Sequence, residues 1–179
     1  MSWRKPERIE SVKLLQFLPP LFKSLDVKKL HPQASIWLNR AIKRGQIKRI
    51  IKGYYLNSLK CEMAQKWPEL EEIACFIRSP SYVSKEWALH FHGILGQFPY
   101  TCSLITLANS VGQRNEVVVG NYRLEYSRIK PDLFFGFEQW NCYHLATPEK
   151  ALLDLMYLEN RIPFHDELEY ELLDLEKLR

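Results

Sequence analysis

Between Gln33 and Lys52 the chain places Gln33, Ser35, Asn39 and Arg40 ahead of Lys43, Arg44, Lys48, Arg49 and Lys52. Asn or Gln pairs at two points with adenine, and Arg does so with guanine. Lysine and arginine neutralise backbone phosphate and release its condensed counterions, which supplies most of the sequence-independent affinity for a duplex. The first four residues are therefore candidates for reading bases, and the last five for holding phosphate. Position agrees with type, because the N-terminal part of a recognition helix lies deepest in the major groove.

The elements that must carry these groups follow from local pattern. Ala34, Leu38, Ala41 and Ile42 recur at helical spacing, predicting a helix over about 33–44 with the polar residues largely off the apolar stripe. Gly45 suits the left-handed residue that closes a helix. The runs "IKRII" and "YYLN", separated by Lys52-Gly53, read as a basic β-hairpin. Upstream, Pro6 opens a helix that Pro19-Pro20 ends, and Ser24 caps a short helix through Leu30 before the His31-Pro32 turn. Three short helices and a hairpin predict a winged helix-turn-helix over residues 1–58. Trp37 is expected to pack against the first helix rather than touch nucleic acid. Ser58 to Trp67 is polar and reads as a connector.

Charge supports the same division. The chain of 179 residues is 46% hydrophobic, long enough for one sizeable core or two small ones. Its net charge of +4 is uneven: residues 1–66 carry 15 Lys and Arg against 4 Asp and Glu, a net +11, and residues 67–179 carry 10 against 17, a net −7. Only the first part suits phosphate. A winged helix also serves protein interaction, and a basic helix face is often merely solvated, so a module that binds a toxin or other protein without reading DNA stands as the alternative.

Residues 68–179 predict a mixed α/β domain. A helix over about 68–77 leads to the strand "SYVS", and Ser84 can cap a helix that runs through Trp87, Ala88, Phe91 and Ile94 to Gly96. Strands follow near 102–107, 116–119, 122–129, 133–135 and 142–145, with Gly120-Asn121 turning one hairpin. Thr147 and Pro148 open the helix "PEKALLDLMYL", and an acidic helix is expected over 166–178, either a solvated face or a surface for a basic partner.

Other chemistry finds little footing here. His90 and His92, two apart on a helix, point to different faces and make poor co-ligands. Pro131-Asp132 could begin a nuclease-like acidic cluster, but no Glu-x-Lys follows on a neighbouring strand, and "PEK" opens a helix instead. No phosphate loop, GxSxG or HExxH occurs. Cys61, Cys75, Cys102 and Cys142 lack metal-ligand spacing and read as buried free thiols of a reducing compartment. The polar N-terminus and the lack of a long apolar run predict a cytoplasmic protein without a membrane segment.

Three segments together, "LNRAIKRGQIKRIIKGYYL", "SYVSKEWALHFHGIL" and "YHLATPEKALLDLMYL", resemble the AbiEi family of antitoxins and transcriptional regulators of type IV toxin–antitoxin systems, in order from about Phe22 to Leu158. The resemblance implies two domains, a winged helix that binds inverted repeats in the operon promoter and a second domain needed for antitoxin action. It also implies a nucleotidyltransferase-like toxin as functional partner, without requiring direct contact. Arg40, Lys43, Arg44, Lys48, Arg49 and Lys52 match the basic positions of that family's module. The expectation is thus an α+β, two-domain DNA-binding repressor that is not an enzyme and needs no cofactor or metal.

Overall fold

The computed structural model describes residues 13–109 and 114–159, which fall into two compact units divided between Glu69 and Leu70. Both mix helix with strand, and each has its own sheet. Most of the helix expected from Pro6 and all of the one expected over 166–178 lie outside the described residues.

The first unit runs α1 (13–17), β1 (Leu21–Lys23), α2 (Ser24–Leu30), α3 (Ala34–Lys43), β2 (Lys48–Ile51), β3 (Tyr54–Leu56) and α4 (Ser58–Ala64). Its sheet has the order β1-β3-β2 and is antiparallel throughout. Leu15, Leu18, Phe22, Val27, Trp37, Leu38, Ile47 and Tyr55 belong to one buried cluster. Each large apolar side chain of this kind contributes about 1.5–3 kcal/mol. Phe22 lies directly across the ladder from Tyr55, and the rings stack at 5.6 Å.

The end of α1 creates a demand that residues forty positions later meet. Proline has no N–H, so Pro19 and Pro20 leave the carbonyls of Leu15 and Gln16 without their helical donors. The fully buried Asn57 donates through Nδ2 to Leu15 O at 2.8 Å and Leu18 O at 3.3 Å. Lys60 Nζ reaches Gln16 O at 3.1 Å and Leu18 O at 3.0 Å. Asn57 Oδ1 meanwhile accepts from Lys60 N–H at 3.1 Å, capping α4. The stretch expected as a polar connector is therefore largely a helix, held by this cap and by the burial of Ser58 and Cys61.

The second unit runs α5 (Leu70–Ile77), β4 (Ser81–Val83), α6 (Lys85–Phe91), β5 (Thr101–Thr106), β6 (Arg114–Val119), β7 (Tyr122–Arg128), β8 (Phe137–Trp140), β9 (Tyr143–Ala146) and α7 (Pro148–Glu159). The strand order is β6-β7-β5-β4-β9-β8, with β5 parallel to β7 and β4 parallel to β9. Strand alternation puts Leu124 and Tyr126 on one face, where the Tyr126 hydroxyl donates to Ala74 O of α5 at 2.8 Å. Tyr82 points the other way, to α7.

Three expectations are corrected in this unit. Residues 133–135 are not a strand: Pro131–Leu133 form a 3-10 turn closed by Phe134 N–H on Pro131 O, and the strand comes later, at β8. Helix α6 stops at Phe91 because Gly93, at φ +71°, takes the left-handed conformation and Ile94 N–H turns back to Leu89 O. Ser84 stands at the start of α6 but makes no side-chain cap; its hydroxyl donates to Asp154 instead. Among the described residues no helix is long and apolar enough to cross a membrane.

Candidate nucleic-acid interface

Helix α3 is fixed at both ends by local hydrogen bonds. At its start His31 Nδ1 accepts from Gln33 N–H at 3.1 Å, and Gln33 O accepts from Trp37 N–H at 3.0 Å. At its finish Gln46 N–H bonds Ala41 O at 3.0 Å and Gly45 N–H bonds Ile42 O at 2.9 Å, the paired closure of a Schellman turn. Gly45 has φ +69°, a conformation that side-chain-bearing residues adopt at a cost.

Between these ends the helix has two sides. Ala34, Trp37, Leu38 and Ala41 are buried, and Ile42 is half-buried. Trp37 shares its cluster with Leu15 and Leu18, so it serves the core. Its indole N–H is buried without a hydrogen-bond partner. Gln33, Ser35, Asn39, Arg40, Lys43 and Arg44 are all exposed. Ser35, Asn39 and Lys43, four apart, form one row, and Arg40 and Arg44 form another.

The hairpin carries the other three candidates. Ile51 faces Tyr54 across the two-residue loop Lys52-Gly53, and Gly53 at φ +88° supplies the left-handed turn residue. Ser24 N–H donates to Gly53 O at 2.8 Å, tying the loop to α2. Ile50 is an extra residue in the β2–β3 ladder, a bulge of the sort that increases local twist. Lys48, Arg49 and Lys52 are exposed, the first two on opposite faces of their strand. All nine candidates are thus displayed to solvent, six on α3 and its caps and three on the hairpin. Lys28 and Lys29 are also exposed, in the last turn of α2, where basic residues suit the helix dipole.

In the second unit the groups with chemical potential are engaged internally. Lys150 Nζ meets Asp154 Oδ1 at 2.6 Å and Leu133 O at 2.9 Å, and Asp154 Oδ2 accepts from Tyr82 OH at 2.9 Å and Ser84 Oγ at 2.7 Å. The "PEK" lysine is therefore part of a buried network, whereas Asp132 lies exposed on the 3-10 turn. Burial, then the Asp154 carboxylate, push the Tyr82 phenol far above its ordinary value. Burial likewise raises the thiols of Cys75 and Cys102. All four cysteines are free; Cys61 and Cys102 are buried as expected, whereas Cys75 is half-buried and Cys142 exposed. His90 Nδ1 lies 3.0 Å from Leu95 O and His92 Nε2 lies 2.8 Å from Ala146 O, separate anchors. Among the described residues no three His, Cys, Asp or Glu side chains are grouped to hold a metal ion.

Neither a family model nor a curated protein matches the chain. What the chain can bind is therefore carried by features of its own residues. Most specific among them is the two-sided α3 with a basic hairpin following directly.

Proposed function

We propose that the chain is a DNA-binding transcriptional repressor of the AbiEi antitoxin kind, whose first unit is a winged helix. The element order α1-β1-α2-α3-β2-β3 supports this, with α3 as recognition helix and the β2–β3 hairpin as wing. The observation that carries the reading is the division of α3. Its apolar residues are buried, while Gln33, Ser35, Asn39, Arg40, Lys43 and Arg44 are exposed and continue into Lys48, Arg49 and Lys52. A face of amide and guanidinium groups beside a cationic ribbon suits the major groove and its flanking phosphates. On the resemblance, the second unit carries antitoxin action against a nucleotidyltransferase-like toxin, with no catalytic role of its own.

Binding of the full chain to DNA upstream of its own gene, compared with random duplex at several salt concentrations, tests the proposal. Log affinity should fall with log salt, and the upstream sequence should be preferred. A flat salt response, or equal affinity for both duplexes, would favour the interaction-module alternative.

A further inference from the structure

On the winged-helix reading above, one exposed residue of α3 stands out because it is not polar. Ile36 is 48% exposed, although of the other large apolar residues of the helix Trp37 and Leu38 are buried and Ile42 is half-buried. At about 100° of rotation per residue, Ile36 points roughly 150° away from the mean direction of Ala34, Trp37, Leu38 and Ala41. By the same rotation it falls between Lys43 and Arg40 in the middle of the exposed arc, with Ser35 and Asn39 to one side. It is also in the first turn of α3, the part of a recognition helix that enters the groove deepest. An isolated exposed aliphatic side chain is ordinary on a protein surface. An aliphatic side chain at the centre of a polar and basic face is the first group to be buried by whatever that face binds.

In the major groove of DNA the apolar feature available to such a side chain is the C5-methyl group of thymine. We infer that Ile36 is a specificity-determining residue that contacts a thymine methyl group, flanked by Asn39 and Arg40 on neighbouring base edges. The contact makes the face selective for thymine over uracil at that position, and for DNA over RNA, whose deep, narrow major groove excludes side chains.

The test begins by selecting a preferred duplex from a random pool with the full chain, and then replaces each thymine in turn by deoxyuridine. One or two positions in each binding site should lose about four-fold in affinity, the worth of one buried methyl group, and the other thymines should be neutral. Ile36→Ala, which sits on an exposed helical position and favours helix, should bind the thymine and deoxyuridine duplexes alike. Unchanged thermal unfolding of the variant shows that its fold is intact. Wild-type binding indifferent to every deoxyuridine, or the same deoxyuridine penalty in Ile36→Ala, overturns the inference while leaving the repressor reading in place. If no preferred duplex emerges from the pool, the reading falls and the inference with it.

Discussion

Lys150 Nζ lies 2.6 Å from Asp154 Oδ1, one turn further along α7, with side chains only 6% and 1% exposed. Such a pair has given up its hydration, so breaking it leaves an uncompensated charge in the interior. Lys150→Met should destabilise the second unit by about 3–5 kcal/mol, and Lys150→Met with Asp154→Leu should recover much of that loss. Urea unfolding of the two variants checks this. A double variant as unstable as the single one would show that the hydrogen bonds from Tyr82 and Ser84 to Asp154, not the ion pair, are what matters.

Stability should fall on the alkaline side. The raised Tyr82, Cys75 and Cys102 keep their protons in the folded state, while in the unfolded chain thiols ionise from about pH 8.5 and tyrosine from about pH 10. Rising pH then draws protons from the unfolded state alone, favouring it by up to about 1.4 kcal/mol per pH unit for each group. Their stabilising contribution is complete below these values and is lost above them. Urea midpoints measured from pH 7 to 10.5 should decline, and less steeply in Tyr82→Phe. A wild-type midpoint constant to pH 10.5 would contradict the assignment.

Gly45→Val should cost about 1–2 kcal/mol through backbone strain alone, because a Cβ there meets nothing within 4 Å. Gly45→Asn should cost less, since asparagine tolerates the left-handed region. Thermal unfolding of both variants orders them, and an equal loss would point to some contact other than backbone strain.

Asn57→Ala removes the donor to Leu15 O and Leu18 O and the cap of Lys60 N–H together. Because Asn57 is fully buried, the expected loss is about 2–3 kcal/mol. Chemical denaturation followed by helix content reads it out, and a loss below 1 kcal/mol would mean that Lys60 alone serves these carbonyls.

On the proposed DNA-binding function, Arg40→Ala should cost about 1–3 kcal/mol on the preferred sequence and relax discrimination, whereas Lys52→Ala should weaken all sequences alike and reduce the salt slope by about one. Binding titrations of both variants on preferred and random duplex separate the roles. Parallel effects on the two duplexes would show that base reading and phosphate contact are not divided between helix and hairpin.

What was legible in the chain was what local sequence decides. Gly45 and the Lys52-Gly53 loop could be placed because glycine takes left-handed backbone at the least cost, and α3 because its apolar stripe is regular. Helix α4 was not, since what holds it is a set of bonds to α1 carbonyls some forty residues away. The strand set at 133–135 failed because Pro131 starts a turn that no alternation pattern reveals. Lys150 and Asp154 have the spacing of an ordinary surface ion pair, and only packing puts them inside. Ile36 falls off the regular apolar stripe of α3 by spacing alone, but its central place on the exposed face emerges only from the burial of its neighbours.

The parallel pairing of β4 with β9 has a consequence for synthesis on the ribosome. Strand β4 ends at Val83 and β9 begins at Tyr143, so one edge of β4 stays unfilled while about 60 residues are added, some seconds at ordinary elongation rates. Tyr82 and Ser84 also wait for Asp154, made later still. The second unit is therefore completed only when its C-terminal elements arrive, and a nascent chain stalled before β9 would present the open edge of β4 to passing chaperones and proteases.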